Sequence, residues 1–118
     1  MIDHSLLHPT MTDQELADGC RVALKHKVAS VCIKPYAVPL AKALLAGSEV
    51  MVGTVIGFPH GNSRVDVKCY EAERALADGA VELDVVVNIG KVLSRDWDYV
   101  SDEIQALNET TVRHGALL

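Results

Sequence analysis

The chain has 118 residues, a hydrophobic fraction of 49%, a charged fraction of 23% and a formal net charge of −5. This length and composition predict one globular domain and argue against intrinsic disorder. The acidic balance without a basic cluster, and the lack of a long apolar run, predict that the domain binds neither nucleic acid nor membrane.

Residues 2–7 and 30–34 are the first two predicted strands. Between them, Thr12 and Glu15 have the spacing of a capping box at the start of a helix. A short helix rich in Ala and Leu follows the second strand and ends near Gly47. This half of the chain therefore alternates strand, helix, strand and helix.

Residues 49–58 and 81–88 are the third and fourth predicted strands. The helix between them ends at Gly79, and a last helix begins near Asp98 and stops at Gly115. The predicted inner face of the third helix consists of Val65, Cys69, Ala72 and Leu76. That of the last helix consists of Val100, Ile104, Leu107 and Thr111. Strands that alternate with helices predict right-handed βαβ units and a parallel sheet, and residues 116–118 resemble the opening of a fifth strand.

The fourth predicted strand is nearly all apolar, yet it carries carboxylates. Side chains alternate along a strand, so Glu82, Asp84, Val86 and Asn88 share one face. Burying an ionised carboxylate costs several kcal/mol unless it is paired. This cost indicates a use for Asp84 in chemistry, although Asp84 can equally serve only as an acceptor of structural hydrogen bonds.

The carboxyl ends of parallel strands are the usual place for a site in α/β folds. There the predicted strands offer Asp3, Cys32, Lys34, Asp84 and Asn88. Acids, an amine and a thiol in one cleft favour proton-transfer or carbonyl chemistry. Each has a plain alternative: Cys32 as a small core residue, Lys34 as a solvated strand end, and Asp3 as a loop acid.

The three cysteines, Cys20, Cys32 and Cys69, are odd in number and widely spaced, which argues for a reducing cytoplasm and against a disulfide framework. The first residues also lack the basic stretch of a signal peptide. No metal-binding spacing of Cys or His and no glycine-rich nucleotide loop occurs. We therefore expect a cytoplasmic protein with no metal and no cofactor.

Four segments together resemble the deoxyribose-phosphate aldolase family. They are Ile-Asp-His-Ser-Leu-Leu at 2–7, Ser-Val-Cys-Ile at 30–33, Thr-Val-Ile-Gly-Phe-Pro-His-Gly at 54–61, and Glu-Leu-Asp-Val-Val-Val-Asn-Ile-Gly at 82–90. The segments follow the family's order and spacing over nearly the whole chain. Each segment alone is a weak signal, and their combination is specific.

The resemblance implies a class I aldolase on a (β/α)8 barrel that cleaves 2-deoxyribose 5-phosphate to glyceraldehyde 3-phosphate and acetaldehyde, a step of deoxyribonucleotide catabolism. It implies that Asp84 belongs to the proton relay of the Schiff base and that Asp3 is a supporting acid. It places Cys32 at the substrate pocket, and the strand positions of Lys34 and Asn88 add these two residues to the same pocket.

The family's imine-forming lysine lies on the sixth strand in a Lys-Thr-Ser-Thr-Gly-Phe-like motif, and this sequence has no such motif. It also lacks the family's glycine-rich phosphate loops. A complete (β/α)8 barrel takes about 250 residues. We therefore expect residues 1–118 to form a single (β/α)4 half-barrel domain that is inactive, or nearly so, alone.

An open parallel sheet leaves two unpaired edges, which favour association with another chain. The simplest expectation is a homo-oligomer, most simply a two-fold dimer in which strand four of one copy lies beside strand one of the other. One alternative is a split enzyme that becomes active with a separate C-terminal chain. A further alternative is a non-catalytic scaffold or small-molecule binding module that assembles with itself.

Overall fold

The computed structural model describes residues 2–118 and contains one parallel sheet with the strand order β1-β2-β3-β4. The strands are β1 Asp3–Leu6, β2 Ser30–Ile33, β3 Met51–Ile56 and β4 Glu82–Val85. The helices are α1 Asp13–His26, α2 Val38–Leu44, α3 Val65–Ala77, α4 Ile89–Leu93 and α5 Trp97–Arg113. A helical segment follows every strand, which confirms the predicted half-barrel architecture.

One face of the sheet is covered by helices. In the parallel register, Leu6 lies beside Ile33 and Ile33 beside Thr54, so these side chains point to the same side. This outer face and the helices form the hydrophobic core, whose buried members include Leu16, Cys20, Val31, Ile33, Val38, Val52, Ile56, Ala72, Leu76, Leu83 and Leu107. The opposite face of the sheet has no helical cover within residues 2–118.

The predicted capping box at the start of α1 is confirmed. The Thr12 side chain accepts a hydrogen bond from the backbone N–H of Glu15, and the Glu15 carboxylate accepts one from the N–H of Thr12. Leu16, Cys20 and Ala23 are fully buried, as their spacing predicts. The sequence thus sets both the start and the buried face of this helix.

The fourth strand is shorter than predicted, because it ends at Val85 rather than at residue 88. Asn88 lies beyond it and caps α4, a short helix that the sequence did not predict, by accepting a hydrogen bond from the N–H of Lys91. Asn88 therefore does not continue the strand face that carries Glu82 and Asp84. An asparagine at a helix N-cap satisfies an otherwise unpaired N–H, which competes with strand extension.

Two predicted helix faces are confirmed only in part: Ala72 and Leu76 of α3 and Leu107 and Thr111 of α5 are buried as predicted. In α3, Lys68 is buried in place of Val65 and Cys69, which are half-buried. In α5 the buried residues are Glu103, Leu107, Thr110 and Thr111, whereas Ile104 is 43% exposed. Lys68 and Glu103 pair with each other, so each helix buries one charged residue that its apolar pattern did not include.

The predicted opening of a fifth strand is confirmed at one residue pair. Leu117 forms a parallel bridge with Glu82, donating its N–H to the carbonyl of Val81 and accepting the N–H of Leu83. This contact occupies the beginning of the outer edge of β4. In residues 2–118 there is also no helix long and apolar enough to cross a membrane.

We expect Gly61→Ala to lower the free energy of unfolding by more than about 2 kcal/mol. Gly61 has a φ of +66°, and an added Cβ would overlap the carbonyl oxygen of Val87. Gly47 is a matched control, since its φ is +77° and an added Cβ meets nothing within 4 Å. Gly47→Ala should therefore cost only the backbone strain. Urea denaturation of both variants measures the difference, and equal losses would contradict the steric argument.

Candidate functional site

The uncovered face of the sheet, here called the inner face, carries the acidic residues. The register aligns Asp3 with Ser30, Cys32 with Gly53, and Val55 with Asp84. The Oγ of Ser30 donates a hydrogen bond of 2.7 Å to Oδ1 of Asp3. The predicted acid of β1 is thus held in place on this face by the neighbouring strand.

Cys32 and Asp84, two residues predicted from their strand positions, come together on the inner face, where Asp84 is exposed and not buried as the apolar pattern of β4 predicted. The Cys32 thiol donates to Oδ2 of Asp84 at 3.2 Å, although β3 lies between their strands. Gly53 of β3 lies beside Cys32 and has no side chain to intervene. Burial, followed by the hydrogen bond and the negative charge of Asp84, raises the pKa of Cys32 to about 12. At neutral pH the thiol is therefore a neutral donor that orients Asp84.

Glu82 completes the acidic group. Burial, together with the charges of Asp3 and Asp84, raises the pKa of Glu82 above its ordinary value. Its Oε2 atom is buried without a hydrogen-bond partner. The sequence placed Glu82 on the same face as Asp84 but gave it no role. The three carboxylates make the inner face anionic.

We expect Glu82→Gln to flatten the pH dependence of stability. Because folding raises the pKa of Glu82, the folded state binds this proton more tightly than the unfolded state does. Its stabilising effect is present below the ordinary value of 4.5 and is lost as the pH rises through the raised value. Urea denaturation at about pH 4.5 and about pH 8 should therefore show a smaller loss in the variant than in the parent chain. An unchanged loss would contradict this origin.

Lys34 lies at the carboxyl end of the sheet, but its amine turns away from the acidic group. Its Nζ atom donates to the carbonyl oxygens of Pro9 at 3.3 Å and Met11 at 2.9 Å, both in the loop after β1. Asn88 uses its side-chain oxygen to cap α4. The structure therefore brings together Asp3, Cys32 and Asp84, and leaves Lys34 and Asn88 outside this group.

A buried ion pair at the carboxyl edge of the sheet was missed in the sequence. The side chains of Lys68 and Glu103 are both 0% exposed and pair directly. The Lys68 amine also donates to the carbonyl oxygens of Gly61 at 2.7 Å and Val86 at 2.9 Å. The only indication of this pair in the sequence is that Lys68 and Glu103 each lie within or beside the apolar stripe of a predicted helix. Sequence periodicity alone cannot distinguish such a charge from a solvated one.

These side chains can perform proton transfer but offer no free amine at the inner face. A carboxylate that is oriented by a neutral thiol can accept and return a proton. Within the chain segment that the structure covers, no cluster of three or more His, Cys, Asp or Glu side chains could hold a metal ion. The geometry therefore defines an acidic inner face, with Cys32 bonded to Asp84, on a parallel α/β half barrel.

The model of the DeoC/LacD family of aldolases matches residues 1–118, and the chain belongs to this family. The deoxyribose-phosphate aldolase of Rhodopirellula baltica is 52% identical over 111 residues, which are 94% of this chain and 46% of that protein. The deoxyribose-phosphate aldolase of Thermoanaerobacter sp. is 42% identical over 118 residues, or 53% of its length.

Solved structures agree with these sequence relatives. The tetrameric deoxyribose phosphate aldolase of Aeropyrum pernix superposes with a TM-score of 0.88 at 28% identity, covering 98% of this chain and 48% of that one. Four parallel strands and their helices thus match about half of the chain of this TIM-barrel aldolase. The chain spans about half the length of the relatives it matches.

Proposed function

We propose that this chain is the N-terminal half of a deoxyribose-phosphate aldolase, the half that carries the acidic group, with Asp84 as the proton relay. The observation that carries the proposal is the hydrogen bond from Cys32 to Asp84 on the inner face of a sheet that matches such aldolases. The neutral thiol leaves Asp84 with a second oxygen free to exchange a proton with a reacting group. Asp3, held by Ser30, adds negative charge to the same face.

We propose that the chain alone has little or no aldolase activity. Imine formation needs a free amine beside the acidic group. Lys34 and Lys68 direct their amines to backbone carbonyls, and the amine of Lys91 pairs with Asp96. The resemblance places the imine-forming lysine and the phosphate loops in the second half of the barrel. In a complete barrel, Asp84 would transfer the proton as that amine forms and breaks the imine with substrate.

The test is a chimera in which this chain replaces the corresponding part of the Rhodopirellula baltica aldolase. We expect the chimera to cleave 2-deoxyribose 5-phosphate and the isolated chain to release no acetaldehyde above background. An inactive but folded chimera would count against the proposed function. Family-like turnover by the isolated chain would show that its own groups suffice.

The open sheet also supports a proposal on partners: the chain forms homodimers or pairs with a separate C-terminal half. The edge of β1 is free within residues 2–118, and Ile2 beside it is 63% exposed. A two-fold ring that sets β4 beside β1 of a second copy requires Leu117 to leave its bridge with Glu82. A homodimer would also gather two copies of the acidic group, which repel at neutral pH.

Sedimentation at micromolar concentration tests these partners, first alone and then with the second half of the Rhodopirellula baltica enzyme co-expressed. A mixed complex with aldolase activity would support the split enzyme. A homodimer without activity would support the self-assembling scaffold. A folded monomer in both experiments would exclude both partners. The three unpaired cysteines further support a proposed cytoplasmic location.

A further inference from the structure

We infer that Lys68, together with Glu103, is a positioning residue that fixes the carboxyl rim beside Asp84. Here the carboxyl rim means residues 57–61, after β3, and residues 86–88, after β4. The inference rests on the proposed function for its effect on catalysis. Its structural part concerns this chain alone.

The contacts of Lys68 join both segments of the rim. An ammonium group has three N–H donors, and Lys68 has three acceptors: the carbonyls of Gly61 and Val86 and the carboxylate of Glu103. The second oxygen of Glu103 accepts the N–H of Asn88 at 2.8 Å. One ion pair therefore holds the segment after β3 and both ends of the segment after β4.

Helix α3 also binds the other end of the first rim segment, at Gly57. Glu71, one turn after Lys68, accepts the N–H of Gly57 at 2.8 Å. An added Cβ at Gly57 would lie 2.9 Å from Cε of Lys68, so the glycine leaves space for the lysine stem. The loop and the buried side chain are thus fitted to each other.

Stability alone does not account for charges at this place. A fully buried ion pair often contributes no more to stability than apolar residues of similar volume, because both charges lose their hydration. Apolar residues, however, cannot bind two carbonyls and an N–H in fixed directions. The feature that only the ion pair provides is the geometry of the rim.

The geometry of the rim affects the position of substrate relative to Asp84. Val86 follows Asp84 by two residues, and its N–H donates to the carbonyl of Ile56, at the end of β3. The rim therefore borders the inner face at the carboxyl end of β3 and β4. When the rim moves, substrate bound there moves relative to the carboxylate, and small misplacements of reacting groups lower kcat strongly.

The experiment compares the parent chain with the apolar double variant Lys68→Met/Glu103→Leu by amide hydrogen exchange. The reporters are the amides of Gly61 and Val86, because their N–H groups donate to Gly57 and Ile56 and not to the ion pair. We expect their exchange to accelerate by about tenfold or more while the amide of Val52 in central β3 is unchanged. Equal protection at the rim in both proteins would overturn the inference.

Two further variants keep the test decisive. Lys68→Met/Glu103→Gln also removes both charges but retains the shape of the Glu103 side chain, and it serves if the first double variant does not fold. Lys25→Met is the matched control, since Lys25 is exposed on α1, a helix that packs on β1, β2 and α2. Faster exchange at the rim in Lys25→Met as well would mean that the effect is not specific to Lys68.

The catalytic part is measured in the chimera with the Rhodopirellula baltica enzyme. We expect the double variant to lower kcat by about tenfold to a hundredfold with little change in KM. An active parent chimera with an equally active double variant would refute the positioning role. An inactive parent chimera would instead refute the proposed function, and the exchange experiment would still decide the structural part.

Discussion

Asp84→Asn should lower the kcat of the chimera for cleavage of 2-deoxyribose 5-phosphate by about 10²- to 10⁴-fold. Asparagine has nearly the same shape, so the fold and the position beside Cys32 should be kept. The amide cannot accept and return a proton at neutral pH. Initial rates at saturating substrate measure the change, and circular dichroism checks the fold.

Asp3→Asn is the matched control for this prediction. Asp3 lies on the same face and is held by Ser30, but it has no contact with the thiol that orients Asp84. We expect its effect on kcat to be smaller than that of Asp84→Asn. If Asp3→Asn lowers kcat as much as Asp84→Asn or more, the proton relay is Asp3 of β1 and not Asp84.

Lys68→Met alone should lower the free energy of unfolding of the chain by about 3–5 kcal/mol. The substitution leaves the Glu103 carboxylate fully buried without its counter-charge. It also leaves the carbonyls of Gly61 and Val86 without their donor. Urea denaturation followed by circular dichroism gives the value.

The double variant Lys68→Met/Glu103→Leu should regain most of that loss, because it removes both charges together. The variant Lys25→Met controls for the change from lysine to methionine at an exposed site. A double variant as unstable as the single one would show that the hydrogen bonds, and not the unpaired charge, dominate the cost. Full stability of Lys68→Met would contradict the whole account of the pair.

The parts of the fold that the sequence predicts well depend on local chemistry. The capping box of Thr12 and Glu15 fixes the start of α1, and alternation in β4 correctly sets Asp84 and Leu83 on opposite faces. Cys32 and Asp84 could be expected to meet because strand positions define a common face. These inferences need only period, capping and the parallel order of strands.

The remaining features depend on contacts between distant segments. Asn88 has the spacing of a strand residue, and its capping role depends on α4, which follows it. Lys68 has the character of a surface lysine on a helix, and its burial depends on Glu103 of α5, which lies opposite. The direction of the Lys34 amine depends on loop carbonyls that no side-chain pattern reveals. Tertiary partners therefore decide those sites that local propensity leaves open.

The layer between the sheet and its helices has a consequence for the order of folding. Its buried side chains, from Leu6 in β1 to Leu107 in α5, all come from this chain, and neighbouring strands are adjacent in sequence. Because each strand pairs with the next one along the chain, one βαβ loop is closed at each step, and the entropy cost of closing a loop rises only slowly with its length. In a longer polypeptide, this segment could fold on the ribosome before any later segment was synthesised. The inner face would then stay exposed until the strands that cover it were made.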